Sequence, residues 1–124
     1  MKKPKMVIHE SEGKVEPDIC GTVIEMINPA SSASTKLSFA KLIISPMEKS
    51  QKHYHLKTEE VYFILSGSGE MIIGDEAFSI REGHAIFIPI GAPHQIINKT
   101  HQNLIFVCAD SPVFEADDVF EVNE

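Results

Sequence analysis

A chain of 124 residues with 43% hydrophobic and 23% charged side chains has the length of one domain and the balance of an ordinary globular one. Eleven basic residues against eighteen acidic ones give a net charge of −7, and Arg81 is the only arginine, so the basic footprint that nucleic acid requires is missing. Cys20 and Cys108 are too few for a disulfide framework and stand beside apolar Ile19 and Val107, so they are expected as buried free thiols, with a single bridge as the alternative.

In chain order, residues 1–18 open with MKKPKMVIHESEG, which has a basic start but no apolar h-region. They are polar, weakly patterned and expected as an N-terminal arm. No apolar run approaches the roughly 18 residues of a membrane span, and the expected location is cytoplasmic. From Cys20 onward come short runs: TVIEMI, KLSFAKLII, VYFIL, EMIIG, AFSI, AIFIPI, HQIIN and NLIFVCA. They are rich in Ile, Val and Phe, they lack a sustained helical period, and Gly, Pro, Asn and Ser separate them. This pattern predicts an all-β sandwich or barrel over residues 19–112. Gly74-Asp75 predicts a tight hairpin and SASTK, at 32–36, a loop. The acidic tail, 113–124, either holds one short helix from about Ala116 or lies on the surface.

The stretch KHYHLKTEEVYFILSG, residues 52–67, carries the chemistry. Alternation puts His53 and His55 on one side of a strand. VYFIL reads as a return strand, so the stretch is expected as a hairpin. Glu60, Tyr62 and Ile64 share one of its faces; Glu59, Val61, Phe63 and Leu65 share the other. Parity alone does not choose between Glu59 and Glu60. His94 opens another strand after a turn stiffened by Pro89, Gly91 and Pro93. Three neutral imidazoles and one carboxylate suit a divalent first-row metal: manganese, iron, nickel, copper or zinc. An HxH pair alone is weak, and a Glu-Glu pair is usually solvated. His9, His84 and His101 sit among polar or turn residues and are read as structural.

His53-Tyr54-His55, four residues, Glu60, six residues, Gly67 resembles the first motif of the cupin superfamily. Gly83, five residues, Pro89-Ile90-Gly91, two residues, His94, three residues, Asn98 resembles the second. The motifs cover roughly residues 47–98, and the strand pattern extends the likeness from about 20 to 110. The short spacer is similar to that of small single-domain cupins of the conserved-barrel type, often labelled mannose-6-phosphate-isomerase-like. The resemblance implies a double-stranded β-helix, or jelly-roll barrel, around one metal. It assigns His53, His55, Glu60 and His94 as ligands, Glu60 rather than Glu59. Gly67, Gly83, Pro89, Gly91 and Asn98 match the family's structural positions. Met47 departs from the pattern, because the family usually has glycine there; Pro46 is the neighbour that would supply the bend.

The family does not fix the reaction. A phosphosugar site wants cations converging on the phosphate. Arg81 lies at a turn, Lys52 alternates away from His53, Lys57 is in the loop and Lys99 follows Asn98, which leaves Lys41 as the one cation expected within a strand. Phosphosugar isomerisation is therefore discounted. The expected function is that of a metal-dependent enzyme acting on a small organic molecule, of dioxygenase, decarboxylase or isomerase type. Tyr62 would be its proton donor or orienting hydroxyl, against a plain reading as a core aromatic. Ile64 and Ile96, on the faces of Glu60 and His94, would wall the pocket. A non-catalytic module that binds or senses a small molecule is the alternative, and a purely structural metal is a third reading. The resemblance implies a homodimer with TVIEMI at the interface.

Overall fold

The computed structural model describes residues 5–123. Its strands are β1 (Lys14–Asp18), β2 (Gly21–Ile27), β3 (Ser38–Ile44), β4 (His53–Tyr54), β5 (Glu59–Ser66), β6 (Ser68–Ile73), β7 (Glu76–Arg81), β8 (Ala85–Ile88), β9 (His94–Ile97), β10 (Leu104–Ser111) and β11 (Phe120–Glu121). They form two antiparallel sheets, one ordered β1-β2-β3-β10-β5-β8 and the other β11-β4-β9-β6-β7. After β3 the chain crosses from one sheet to the other at every connection except the β6–β7 hairpin, whose loop is Gly74-Asp75. Crossing of this kind makes a jelly roll, the fold class expected.

Alternation sets the core. Every second residue is buried along β10, and along β5 as far as Ile64. Tyr62, Ile64, Leu104 and Phe106 meet Ile44, Met71, Ile88 and Ile96 between the sheets. Burying each such side chain is worth roughly 1.5–3 kcal/mol, so the barrel rests mainly on these aliphatic and aromatic contacts.

Several expectations are corrected. The stretch 52–67 is not a hairpin. β4 pairs with β9 and β11, whereas β5 pairs with β10 and β8 in the opposite sheet. His53 and Glu60 therefore face each other from opposite walls. The arm holds a 3-10 turn at Glu10–Glu12 and then β1, which pairs with β2; residues 1–4 lie outside the described residues. β1 contains Pro17 and a single apolar side chain, Val15, and tolerates both because it is an edge strand. TVIEMI falls in β2, paired with β1 and β3 on its two edges, so a dimer contact there would use its face. The tail makes a 3-10 turn at Ala116–Asp118 and then β11, where Phe120 stacks on Tyr54 at 5.3 Å. Lys41 is not alone, since Lys14 and Arg81 also lie in strands.

Met47 keeps the turn that glycine usually makes. Its φ is +63°, a left-handed conformation, and its N–H reaches the carbonyl of Thr100 at 3.2 Å. The left-handed region costs a side chain about 1–2 kcal/mol, and this one stays exposed. Met47→Gly is therefore expected to stabilise the protein by about 1 kcal/mol, net of the glycine's extra unfolded-state entropy. Denaturant melts check this; a lower midpoint would show that the methionine makes a stabilising contact.

Candidate metal centre

Four buried side chains converge where the sheets face each other. His53 and His94 are direct register partners of β4 and β9. His55 follows β4, and Glu60 projects inward from β5. One ligand atom from each of the four lies within 4.8 Å of all the others. Glu59, one residue away, is exposed. The loop before His94 is tied to its partner ligand, because Gly91 donates its N–H to the carbonyl of His55 at 2.7 Å.

The imidazoles are fixed one by one. Nδ1 of His53 lies 2.7 Å from the carbonyl of Gln51, that of His55 2.8 Å from Asp118, and that of His94 2.9 Å from Ala92. A carbonyl only accepts, so each Nδ1 carries the proton and each Nε2 presents a lone pair inward. Glu60 Oε1 stands 3.0 Å from His55 Nε2 and 3.2 Å from His94 Nε2. Yet Glu60 Oε1 and His94 Nε2, both inaccessible to solvent, have no hydrogen-bond partner. Unpaired buried polar atoms are costly. Acceptors facing acceptors need a proton or a cation between them, and three nitrogens with one oxygen are the donor set of a divalent metal.

The electrostatics agree. Burial, helped by His94, pushes the His53 imidazole down to about 4, so it stays neutral and free to bind. Burial, the largest single influence, works against a charge on His55, but the Glu60 carboxylate beside it and the carbonyl of Asp118 together outweigh this and raise it. For Glu60 burial alone would favour the neutral acid; His55, His94 and Asp110 together outweigh it and hold the carboxylate ionised.

Around these four side chains stand residues that the motifs do not contain. Cys108 donates its S–H to Glu60 Oε2 at 3.1 Å and lies 3.2 Å from Asp110 Oδ1. Burial and the neighbouring Glu60 push the Asp110 carboxyl well up, so it carries the proton shared with Glu60. Cys20 Sγ lies 3.6 Å from His53 Nε2. Both cysteines are unpaired and buried. Alternation would have found Asp110, a charge at the inward end of an apolar strand. Asp118 has no such signal. Its carbonyl orients His55, and its carboxylate accepts the N–H groups of Leu56 and Lys57 at 2.9 and 3.1 Å. Asp118→Ala leaves both donors unpaired and is expected to cost roughly 2 kcal/mol and to weaken metal binding through His55. Thermal melts and metal titration check it, and unchanged values in both would remove Asp118 from the site.

The other named residues divide by depth. Tyr62 lines the cavity beside the cluster, packs on Phe106 at 4.7 Å and meets His94 edge-on. Burial, then the charge of Glu60, keep its hydroxyl protonated. Ile64 and Ile96 are not pocket wall. They lie deeper along their strands, wholly inside the core, and the apolar wall is built by Val23, Leu42 and Phe114 instead. Strand parity gives a residue's face but not its depth. Asn98 bonds the carbonyls of Ile44, Ser45 and Gln102, and Gly67 at φ +90° leaves no room for a Cβ against the carbonyl of Asn103. Pro89 and Gly91 form the turn after β8, and Gly83 sits at the turn before it. His84 Nδ1 accepts the N–H of Arg81, and His9 caps the first 3-10 turn.

Comparison with known proteins agrees with this architecture. The cupin domain family model matches residues 41–110. An uncharacterised protein of Methanocaldococcus jannaschii is 32% identical over 115 residues, covering 90% of this chain and 92% of its own. The 5-aminosalicylate 1,2-dioxygenase of a Comamonas species is 28% identical over 105 residues, covering 83% of this chain but only 28% of the dioxygenase. Among solved structures, the polyketide cyclase RemF of Streptomyces resistomycificus superposes with a TM-score of 0.80 at 22% identity, over 97% of this chain and 87% of RemF. With the family model spanning both histidine motifs and their inward histidines and glutamate meeting inside a jelly roll, the chain belongs to the cupin family.

Proposed function

We propose that the chain is a metal-dependent enzyme that acts on a small organic molecule at His53, His55, Glu60 and His94. One observation carries the reading: Glu60 Oε1 and His94 Nε2 are buried and unpartnered among imidazoles whose tautomers are already fixed. A bound manganese, iron, nickel, copper or zinc ion would supply Lewis-acid or redox chemistry there. The protein's own part is to hold the ligands, to exclude water with an apolar wall, and to keep protons on Asp110 and the Tyr62 hydroxyl beside the site. Dioxygenase, decarboxylase and isomerase chemistry all fit, and the Comamonas relative favours the first. Elemental analysis of protein purified without chelators or tags tests the reading. One metal per chain, followed by turnover or oxygen uptake with that metal, is expected; a metal-free protein that cannot be loaded would remove it.

One observation favours the second reading, a non-catalytic binding module. Tyr62 is packed as a core aromatic, 2% exposed, which leaves its hydroxyl little access to a bound molecule. Stoichiometric metal without turnover across the three reaction types would select it. Among the described residues no helix is long and apolar enough to cross a membrane. Two unpaired cysteines suit the reducing cytoplasm. A homodimer accompanies the reading, supported by Val61, Phe63 and Phe87, which stand exposed and adjacent on the outer face of the six-stranded sheet. A monomer mass by light scattering would exclude it.

A further inference from the structure

The cavity beside the four ligands has a charge pattern that metal binding does not explain. About 80 Å³ in volume, it takes Asp18, Glu25 and Glu60 into its wall, with Asp110 in its protonated form, and among the described residues not one Lys or Arg. The nearby cations are turned elsewhere. Lys41, in β3, stands on the opposite face from Ala40 and Leu42, and its Nζ is 3.2 Å from each carboxylate oxygen of Glu10. Lys57, just past His55, pairs with Glu115 at 3.4 Å. The rest of the wall is mainly apolar, with Ile19, Val23, Leu42, Phe114 and Val119 among its members. Glu60, in the same wall, keeps a buried oxygen without a partner, which marks the inner end as the place where a ligand meets a metal.

An anion entering such a space gives up its hydration and must find cations or donors in exchange. Here it meets Asp18, exposed at the mouth, and the half-buried Glu25, whose charge the partly apolar wall screens less than open water would. The residual charge of a divalent metal, already reduced by Glu60, serves the donor atoms bound to it and leaves nothing for a second anionic group. We propose that the site selects by charge: it takes a small molecule that reaches the metal through hydroxyl, enol or carbonyl oxygens and is otherwise neutral or cationic, and it turns away one carrying a further carboxylate or phosphate. This rests on the metal-site reading given above.

Three catechols test it, because they share one metal-binding diol and differ only in a remote group. Zinc-loaded protein is titrated anaerobically at pH 7.5 with 4-methylcatechol, dopamine and 3,4-dihydroxybenzoate by calorimetry, and zinc is counted in the same samples. The carboxylate compound is expected to bind about tenfold or more weakly than 4-methylcatechol, and dopamine at least as tightly as it. Glu25→Lys, which touches no ligand, should bring the first ratio to within about threefold. One zinc per chain with 3,4-dihydroxybenzoate bound as tightly as the neutral compound overturns the charge selection alone, as does zinc-loaded protein that binds none of the three at millimolar concentration. Protein that takes up no zinc overturns the metal-site reading and this inference with it.

Discussion

His94→Ala is expected to weaken divalent metal binding by on the order of 100-fold or more while the circular dichroism of the barrel is retained. Removing a residue that only orients a ligand typically costs 10–100-fold in metal affinity, and His94 supplies the ligand atom itself. Its Nε2 is buried and has no other partner in the protein. The fold should survive because its stability rests on the core around Ile44, Ile64, Met71, Leu104 and Phe106, none of which the substitution touches. For the same reason the metal-free protein should stay folded, which argues against a purely structural metal. His84→Ala is the control, since that histidine serves the backbone of Arg81. Equal metal content in the His94 and His84 variants would contradict the ligand assignment.

Metal affinity should fall as pH falls, in two stages. Only neutral imidazole binds metal. His55 is raised above the ordinary value in the metal-free protein, because the Glu60 carboxylate and the carbonyl of Asp118 together outweigh the large opposing effect of burial. A raised value means that protons compete at higher pH than they would for a free histidine, from somewhat above pH 6.5. Below that point the affinity should drop at least about tenfold per pH unit, the slope of a single competing proton. His53 adds nothing to this first stage, because burial and His94 hold it near 4; it steepens the slope as that value is approached. Titrations from pH 8 to 4.5 measure this, and affinity that is flat down to pH 4.5 would rule out three histidine ligands.

Much of the site was legible because it is written in local spacing. HxH in a strand places two imidazoles on one face, and the glutamate five residues after His55 sits at an inward position of β5. The residues that orient those side chains were harder to see. The carbonyl of Asp118 reaches His55 across 63 positions of sequence, from a tail whose composition resembles solvated surface. β1 and β11 were illegible for a related reason: one contains a proline and the other has two residues, and both exist only because a sheet edge receives them. The supposed hairpin at 52–67 failed because alternation describes a single strand and says nothing of which sheet its neighbour joins. Ile64 and Ile96 failed similarly, since depth in a barrel depends on how strands are staggered. Met47 shows the converse. A departure from the glycine pattern left the backbone turn in place, at φ +63°.

Anomalous diffraction at the absorption edge of the metal, from crystals of protein purified without chelators or tags, tests the centre most directly. The account predicts one peak per chain, about 2.0–2.2 Å from Nε2 of His53, His55 and His94 and from Oε1 of Glu60. A peak at any other cluster, a metal bound through Nδ1, or crystals grown with added manganese or zinc that show no peak among these four residues would contradict it.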